Sequence, residues 1–348
     1  MDHTSYARRT GAHRLLKVLG VFLALSCGYC NAADLAFTEW LTALKAEARE
    51  QGISDAVLEE AFKGVEPLPR VLELDRNQPE LKFNLEQYLE RVLPMDRIVK
   101  ARRHYKENHK LLVKIAKKYR VQPHYIVAFW GVESDFGRIT GNFSVIAALA
   151  TLAYDGRRAQ FFRRELFNAL KILNAGHISA AQMTGSWAGA MGQTQFMPST
   201  FLNYGVDFDN DGKINIWNDL PDAFASAANY LHSIGWEGQQ SWGREVKLPK
   251  EFDLQLVDME LRKTVQEWRK LRVRRVDGGH LPDSTLEASL VQPDGPKGRT
   301  YLVYKNYRMI LNWNRSHVFA VAVGSLADRV TQTRLPKRAR GHQIADQH

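Results

Sequence analysis

Glu133 is the residue in this sequence that is best placed to move a proton. It follows the almost wholly apolar run 125–132. Desolvation by the aromatic residues of this run and the negative end of a helix dipole both favour the uncharged carboxyl group. An uncharged carboxylic acid can protonate a leaving oxygen, as a general acid does at a glycosidic bond. Glu133 is therefore the candidate catalytic residue.

Two other interpretations of this region stay open. Glu133 could have a structural role, either by capping a neighbouring helix or by pairing with Arg138. Asp135 could supply the second carboxylate of a hydrolase pair, in which the carboxyl groups lie roughly 5 to 9.5 Å apart. A spacing of two residues points the side chains of Glu133 and Asp135 apart if the helix continues. A single carboxylate acting alone is the simpler interpretation.

The glycine- and alanine-rich segment 185–200, GSWAGAMGQTQFMPST, predicts one wall of a ligand groove. Each missing side chain lets the backbone come close to a bulky polar ligand. The carboxamides of Gln193 and Gln195 add hydrogen-bonding groups. Glycans are ligands of this kind. An ordinary helix-to-loop junction would explain the glycines, but it would not explain the whole string.

An aspartate ladder follows this segment. Asp207, Asp209, Asp211 and Gly212 match positions 1, 3, 5 and 6 of a calcium loop, and Lys213 offers its backbone carbonyl at position 7. The glutamate that is usual at position 12 is absent, so a later aspartate would have to replace it. Hard oxygen donors favour Ca²⁺ over a transition metal. The alternative is a polar turn that binds no metal.

The chain as a whole has an ordinary globular composition, with 348 residues, 45% hydrophobic and 25% charged. Its formal net charge of +10 suits an anionic partner, such as a cell-wall polymer or an acidic membrane surface. The basic run 97–120 could be a nucleic-acid patch, but its apolar residues recur at helical spacing. We therefore interpret it as a solvated helix face and expect no nucleic-acid partner.

The first 32 residues have the layout of a secretory signal peptide. Basic residues precede the apolar run 18–25, which is too short to span a membrane, and small residues follow it. We expect cleavage after Ala32, which would remove both cysteines, Cys27 and Cys30, and leave no disulfide. The alternative is a lipoprotein acylated at Cys27. At the other end, 331–348 form a basic tail that we expect to be flexible.

Helical periodicity predicts a mainly α fold of the α+β class. The predicted helices cover 37–51, 55–62, 84–93, 95–119, 124–133, 145–154, 160–175, 198–204, 221–234 and 316–328. Short alternating runs at 287–291 and 300–303 predict strands within a small β-containing insert. The predicted parts are a helical N-terminal part, a core, the β-containing part and a closing helix, at 33–120, 121–235, 246–307 and 308–330.

These motifs together resemble the lytic murein transglycosylase B family. The resemblance rests on the segment 131–137, GVESDFG, on the groove segment 185–200, on the aspartate loop and on 222–230, in matching order between about 34 and 330. It implies a lysozyme-like, mainly α catalytic core with an EF-hand-like loop. It also implies cleavage of the MurNAc-(β1,4)-GlcNAc bond of peptidoglycan without water, which leaves 1,6-anhydromuramoyl ends.

The same resemblance assigns roles to individual residues. Glu133 would be the sole catalytic acid and then the base. The residues that line the sugar groove would be Arg157, Arg158, Ser186, Gln195, Tyr230 and Asn314. The Ca²⁺ ligands would be Asp207, Asp209, Asp211, the carbonyl of Lys213, and Asp222. Trp313 and Phe319 occupy positions where similar proteins can carry tyrosines, so this chain departs from the family there and would lack those hydroxyl contacts.

The resemblance implies glycan strands of peptidoglycan as the partner and a periplasmic location. It leaves open an association with the outer membrane or with wall-synthesis enzymes, and we expect a monomer. Two rival functions are a muramidase-type hydrolase, in which Asp135 assists, and a non-catalytic calcium-stabilised module that binds peptidoglycan. The mass of the products separates the enzymes, because an anhydro end lacks one water.

Overall fold

Fourteen α-helices and seven short strands make up the part of the chain that the computed structural model describes, which is residues 25–77, 83–155 and 157–332. The helices are α1 (Leu25–Glu50), α2 (Asp55–Ala61), α3 (Pro69–Asn77), α4 (Leu85–Val92), α5 (Met95–Glu107), α6 (His109–Tyr119), α7 (Pro123–Ser134), α8 (Val145–Tyr154), α9 (Ala159–Asn174), α10 (Pro198–Tyr204), α11 (Leu220–Ser233), α12 (Val265–Lys270), α13 (Lys305–Trp313) and α14 (His317–Thr331). The prediction of a mainly α fold with a small β part is confirmed.

The strands form two antiparallel sheets. They are β1 (Phe143–Ser144), β2 (Thr184–Gly185), β3 (Gly243–Lys247), β4 (Lys263–Thr264), β5 (Arg274–Arg275), β6 (Glu287–Val291) and β7 (Thr300–Val303). Strands β1 and β2 pair with each other, and the other five lie in the order β4-β6-β7-β3-β5. The predicted strands at 287–291 and 300–303 coincide with β6 and β7. A small core packs around Trp268, whose indole N–H donates to the carbonyl of Ala288 at 2.9 Å.

One predicted helix is divided in two, and three helices, α3, α12 and α13, were not predicted. The single helix predicted over 95–119 is divided at Asn108, which ends α5 and precedes α6, and whose side-chain amide and backbone N–H both donate to the carbonyl of His104 at 3.0 Å. Helix α3 begins at Pro69, because the first helical position tolerates proline. Helix α13 was missed because its short stretch follows directly on β7.

The first helix begins earlier than the helix predicted over 37–51. Helix α1 starts at Leu25 and continues through Ala32, after which signal cleavage is predicted. Residues 1–24 of the predicted signal peptide and 333–348 of the predicted tail lie outside the described residues. Within the described ranges, no helix combines the length and the apolar character needed to cross a membrane.

Two large hydrophobic cores organise the helices. The first core surrounds α7 and includes buried residues of α5, α6, α11, α13 and α14. The second core surrounds α8 and α9 and includes buried residues of α1 and α2. Tyr230 and Trp313 are half-buried and pack against both cores. The junction of the two cores is therefore marked by two aromatic side chains that are still accessible to solvent.

Candidate active site

Helix α7 carries Glu133 in its last turn. Pro123 stands at the first helical position, and 125–131 are buried in succession because the first core surrounds the helix. The helix ends at Ser134, since Asp135 adopts a left-handed backbone with φ 49°. The two residues that follow also have positive φ, so the chain turns sharply. This turn exposes the end of an otherwise buried helix.

Gln193 ties the end of α7 to the glycine-rich segment. Its side-chain oxygen accepts from the indole N–H of Trp130 at 2.8 Å, and its amide nitrogen donates to the carbonyl of Trp217 at 3.1 Å. The hydroxyl of Ser134 donates to the Gln193 carbonyl at 2.8 Å and accepts from the N–H of Gly137 at 2.9 Å. The polar groups of Gln193 already have hydrogen-bond partners within the protein. Its side chain therefore holds the fold together and is not free to bind a ligand.

The carboxylate of Glu133 is held by a tryptophan from the far end of the chain. The indole N–H of Trp313 donates to Oε1 of Glu133 at 2.6 Å. Both side chains are half-buried. The Trp313 ring packs against Phe129, Phe196 and Tyr230, with ring centroids 4.4, 5.3 and 5.0 Å apart. The sequence did not predict this contact. There, Trp313 was noted only as a position that lacks the hydroxyl of a tyrosine.

Asp135 has a different environment although it lies two residues further on. It is buried, and its two carboxylate oxygens accept from Arg97 at 3.1 Å and from Arg138 at 2.7 Å. Burial by itself raises the pKa of Asp135, but the hydrogen bonds from the two arginines outweigh burial and hold the pKa below its ordinary value. Asp135 is therefore ionised, its charge is balanced by the two arginines, and it fixes the turn after α7. Arg138, proposed as a partner of Glu133, pairs with Asp135.

The glycines of the segment 185–200 serve the packing of the chain against itself. A Cβ atom on Gly185 would lie 2.3 Å from the carbonyl oxygen of Ala190, and one on Gly192 would lie 2.6 Å from that of Ile216. Gly141, in the loop after α7, would place its Cβ only 2.0 Å from the carbonyl oxygen of Gly185. Close packing of the chain against itself therefore explains the glycines at these positions. The close approach to a ligand that the sequence predicted is not required to explain them.

Ser186 and Gln195 hold the shape of the same segment. The hydroxyl oxygen of Ser186 accepts from the N–H of Ala190 at 3.0 Å. The amide nitrogen of Gln195 donates to the carbonyls of Thr140 and Gly192, at 3.0 and 2.9 Å. Gln195 thereby links the groove segment to the loop that follows Glu133. Both residues remain partly exposed.

Tyr230 lies beside Trp313, as the predicted groove requires. Its hydroxyl donates to the carbonyl of Asn312 at 3.0 Å, and its ring contacts Phe196 and Tyr204. Burial raises the pKa of Tyr230 above its ordinary value, so the hydroxyl stays protonated and can donate. Tyr230, Phe196 and Trp313 together form an aromatic wall next to Glu133.

The predicted groove residues Arg157 and Arg158 are both bound to a buried aspartate. Nε of Arg157 donates to one carboxylate oxygen of Asp75 at 2.8 Å, and a terminal nitrogen of Arg158 donates to the other oxygen. Burial raises the pKa of Asp75, yet the hydrogen bonds from Arg157 and Arg158 prevail and hold the pKa below its ordinary value. The arginines thus anchor α3 to the start of α9. Asp75 was missed from the sequence because α3 was missed.

Asn314 lies at the end of α13. Its side-chain oxygen accepts from the N–H of Ser316 at 3.1 Å, and the residue is exposed. This contact shapes the turn between α13 and α14. A role of Asn314, Arg157 and Arg158 in a sugar groove stays a prediction.

The side chains of the aspartate loop accept hydrogen bonds from the backbone of the same loop. The ligand oxygens of Asp207, Asp209 and Asp211 lie within 4.8 Å of one another. Asp207 accepts from the N–H of Gly212 at 2.9 Å, and Asp211 accepts from the N–H of Lys213 at 2.8 Å. Three carboxylates this close repel each other unless a cation neutralises them, and Ca²⁺ prefers such oxygen donors. These residues therefore fit a calcium site.

Asp222 stands behind this loop and braces it. It is almost fully buried, and its two carboxylate oxygens accept from the backbone N–H groups of Phe208 and Asn215, both at 2.7 Å. Burial raises the pKa of Asp222 to about 6, against the lowering effect of these two hydrogen bonds. The cluster that could hold a cation comprises the three exposed or half-exposed aspartates, so Asp222 supports the loop from behind, and its role as a ligand stays a prediction.

The transglycosylase SLT domain family model matches residues 36–328, which is most of the chain. The chain belongs to this family. The resemblance proposed from the sequence is therefore confirmed, and the SLT domain comprises the α7 helix, the groove segment and the aspartate loop together.

The known relatives of this SLT-domain chain include a lytic transglycosylase. It is 34% identical over 224 residues to membrane-bound lytic murein transglycosylase B of Escherichia coli (strain K12), a match that covers 62% of this chain and 59% of that relative. The chain thus spans about three fifths of the length of this curated relative.

Solved structures show the same fold. SltB3 from Pseudomonas aeruginosa, in complex with NAG-anhNAM-pentapeptide, matches with a TM-score of 0.82 and 45% identity, over 84% of this chain and 79% of that chain. Slt35 from Escherichia coli, in complex with calcium, matches with a TM-score of 0.69 and 28% identity, over 82% of this chain and 90% of that chain.

Proposed function

We propose that the protein is an exported lytic transglycosylase that cleaves the MurNAc-(β1,4)-GlcNAc bond of peptidoglycan and forms 1,6-anhydromuramoyl ends. One observation carries this proposal. Glu133 is half-buried at the end of an apolar helix and accepts from the Trp313 N–H, whereas both carboxylate oxygens of the neighbouring Asp135 are bound by arginines. One carboxylate at the end of α7 suits a reaction in which one residue serves first as acid and then as base.

In the proposed reaction, Glu133 donates its proton to the glycosidic oxygen as the bond from that oxygen to C1 of MurNAc breaks. The charge that develops at C1 is carried by an oxocarbenium-like sugar or by an N-acetyl-assisted oxazolinium intermediate. The C6 hydroxyl of the same sugar then attacks C1 and returns its proton to the ionised Glu133. Because the nucleophile is already part of the substrate, little entropy is lost on the way to attack.

Trp313 orients the carboxylate for both steps. Its N–H donates to Oε1 of Glu133 and fixes the orientation of the carboxylate at the end of α7. The half-buried rings of Tyr230 and Trp313, backed by the buried ring of Phe196, provide apolar surface against which a sugar ring can lie. Ser186, Gln195 and Asn314, with Arg157 and Arg158, are proposed to line the rest of the groove.

The relatives support the choice of substrate. SltB3 was solved with NAG-anhNAM-pentapeptide and with NAG-NAM-pentapeptide, and this chain is 45% identical to it. We infer that peptide-bearing glycan strands are the substrate here, that export places the protein in the periplasm, and that it acts as a monomer. Anchoring to a membrane through Cys27 is the alternative to a free periplasmic form.

Calcium is proposed as a structural ion of the aspartate loop. The carboxylates of Asp207, Asp209 and Asp211 would hold it, together with the carbonyl of Lys213, and Asp222 would complete or support the set. The structure of Slt35 was solved in complex with calcium, which supports this assignment. The ion would neutralise the three carboxylates and stiffen the loop between α10 and α11. No step of the reaction involves it.

The test is mass spectrometry of the muropeptides that the protein lacking residues 1–32 releases from purified sacculi. The expected products carry anhydro ends, which are lighter than hydrated ends by the mass of one water, about 18 Da. Products with only reducing muramic ends would support the muramidase-type hydrolase instead. Sacculus binding without any product would support the non-catalytic module.

Replacing Glu133 with Gln tests the role of the carboxylate. The amide cannot exchange a proton, so turnover is expected to fall by about 10²- to 10⁴-fold, the usual contribution of a general acid and base. Sacculus binding should persist, because glutamine keeps the shape and can still accept from Trp313. Asp135→Asn is the paired variant: because Asp135 also fixes the turn after α7, retained activity is the informative result, and it would exclude a hydrolase that relies on Asp135. An active Glu133→Gln enzyme would remove Glu133 from its proposed role.

A further inference from the structure

A second cleft lies between the five-stranded sheet and helix α13. It has a volume of about 600 Å³ and is lined by the ends of β6 and β7 and by three residues of the helix, Lys305, Arg308 and Met309. Arg262, just before β4, faces it from the sheet side, and Gln240 closes one end. The roles proposed above for the SLT domain use none of these residues.

The cleft presents two guanidinium groups. Arg308 is half-buried and donates to the carbonyl of Met259 and to the hydroxyl of Ser289, the latter at 3.1 Å, and both acceptors are uncharged. Burial lowers the pKa of Arg308, and the charge of Arg262 lowers it further, so the two cations are close enough to repel. A ligand carboxylate between them would relieve this repulsion and could be held by both.

The rest of the lining suits a peptide better than a simple anion. The carboxylates of Glu260, Asp258 and Glu287 each raise the pKa of Arg308, and Glu287 lines the cleft itself, so the cleft has mixed charge. The side-chain oxygen of Gln240 is buried and accepts no hydrogen bond within the described residues. A buried acceptor without a donor is disfavoured, and turning the Gln240 side chain into the cleft would let a peptide N–H reach it. A peptide supplies both the carboxylates and the N–H groups that such a lining recognises.

Helix α13 connects this cleft to the catalytic carboxylate. Lys305, Met309 and Trp313 recur every fourth residue and therefore lie along one stripe of the helix. Met309 lines the cleft, and Trp313 donates to Glu133. Four residues of helix rise about 6 Å, so the end of the cleft lies one helical turn from the residue that holds the catalytic group.

We propose that this cleft binds the peptide stem of peptidoglycan while Glu133 acts on the sugar that carries the stem. A five-residue peptide spans up to about 17 Å when extended, more than twice the rise of about 7.5 Å between Arg308 and Trp313 along α13. The carboxylates of the stem would bind Arg262 and Arg308, and a stem N–H would donate to Gln240. This inference rests on the proposed function, since it assumes that peptide-bearing strands occupy the groove.

The test measures binding, so that it does not depend on turnover. The Glu133→Gln protein is titrated calorimetrically with glycan strands that carry peptides and with the same strands after an amidase has removed the peptides. Adding Arg262→Ala is expected to weaken binding of the peptide-bearing strands by about tenfold, the loss of roughly one charge-assisted contact. Binding of the bare strands should be unchanged.

Two further variants keep the result interpretable. Lys247→Ala removes an exposed cation of the same sheet that does not line the cleft, and it should affect neither titration. Arg308→Lys keeps a charge near Met259 while losing the planar fork, and it should weaken only the peptide-bearing strands. Melting curves of all variants confirm that they are folded.

Equal weakening toward both kinds of strand would overturn the inference, as would unchanged binding of the peptide-bearing strands by Arg262→Ala. Failure of the proposed function would look different. Protein with Glu133 intact would then release no anhydro product from sacculi, whatever the titrations show. A protein that binds peptide-bearing strands through Arg262 but yields hydrated ends would keep the peptide cleft and lose the transglycosylase reaction.

Discussion

The Glu133 site and the aspartate loop are built in opposite ways. The site joins α7 to a tryptophan 180 residues later, with further contributions from the groove segment and α11. The loop is made by consecutive residues whose carboxylates accept from backbone N–H groups two to five positions along the chain. Asp222, from the start of α11, reaches the loop from outside it, and so does His177, whose ring Nδ1 accepts from the N–H of Ile214 at 3.1 Å. A local motif therefore carries most of its own geometry, whereas the surroundings of Glu133 depend on the packing of both cores.

Removing calcium tests whether the loop behaves as an independent ligand site. If a bound ion stabilises only the folded state, a concentration one hundred times its Kd adds about 2.7 kcal/mol to the free energy of unfolding. Chelation should then lower Tm by several degrees, and Asp209→Asn should abolish the response to added calcium. Calorimetric melting with and without Ca²⁺ measures this. Identical curves would show that the loop is a turn without a metal.

Trp313→Phe tests the long-range contact at Glu133. Phenylalanine keeps most of the aromatic packing but lacks the N–H, so turnover should fall about 10- to 100-fold, or roughly 1.4 to 2.7 kcal/mol of barrier, with little change in Tm. Release of anhydro-muropeptides measures the rate. Trp40→Phe, in the second core, is the matched control and should retain full activity. An active Trp313→Phe enzyme would mean that Glu133 is positioned without the indole.

Asp222→Asn tests the brace behind the loop. An asparagine side chain has only one acceptor oxygen, so its NH₂ group would face the N–H of either Phe208 or Asn215. The unsatisfied donor should lower the free energy of unfolding by about 1 to 2 kcal/mol. Asp219→Asn is the matched control, because asparagine serves equally well at a helix N-cap, which is the role of Asp219. Urea unfolding compares the two, and equal effects would contradict the brace.

Asp75→Asn tests whether Arg157 and Arg158 have a structural role besides the proposed one. The pKa of Asp75 is lowered in the folded protein, so its stabilising contribution is fully present above its unfolded pKa of about 3.9 and is lost as pH falls through the lower folded value. The variant should be about 1 kcal/mol less stable at pH 7, since the arginines are half exposed to screening solvent.

The acid limb of the stability curve supplies the control for Asp75. The difference between Asp75→Asn and the parent protein should shrink below pH 4 and vanish at lower pH. Asp96→Asn, which removes an exposed partner of Lys100, should leave urea unfolding nearly unchanged at every pH. A difference between the Asp75 proteins that stays constant down to pH 2 would mean that packing, rather than charge, explains the loss.

Much of the fold could be predicted because the signals were local. The apolar run of α7, the helix Val145–Tyr154 and the strands β6 and β7 all follow from periodicity over fewer than fifteen residues. The errors arose where a side chain changed a local rule. Asn108 divides a helix whose charge pattern continues across it, and Pro69 begins a helix, whereas a proline further inside would end one.

The site was predicted in part. Glu133 was singled out because a carboxylate at the end of a buried helix is a local feature, and Tyr230 does lie beside its partner. The partner itself, Trp313, could not be derived from spacing, since α13 was missed and no rule relates residues 180 positions apart. For Gln193 and the glycines of the groove segment, the tertiary structure shows bracing and close backbone packing where the sequence suggested ligand contacts.

The amino-acid sequence by itself determined the family, the helical class, the acid at the end of α7 and the aspartate loop, because each is written in residues a few positions apart. The tertiary structure alone decided which side chains surround each of two neighbouring carboxylates. Arg97 and Arg138 converge on Asp135, while Trp313 arrives at Glu133. The reason is physical: the packing of two separate hydrophobic cores, rather than local propensity, sets which distant side chains meet at one turn.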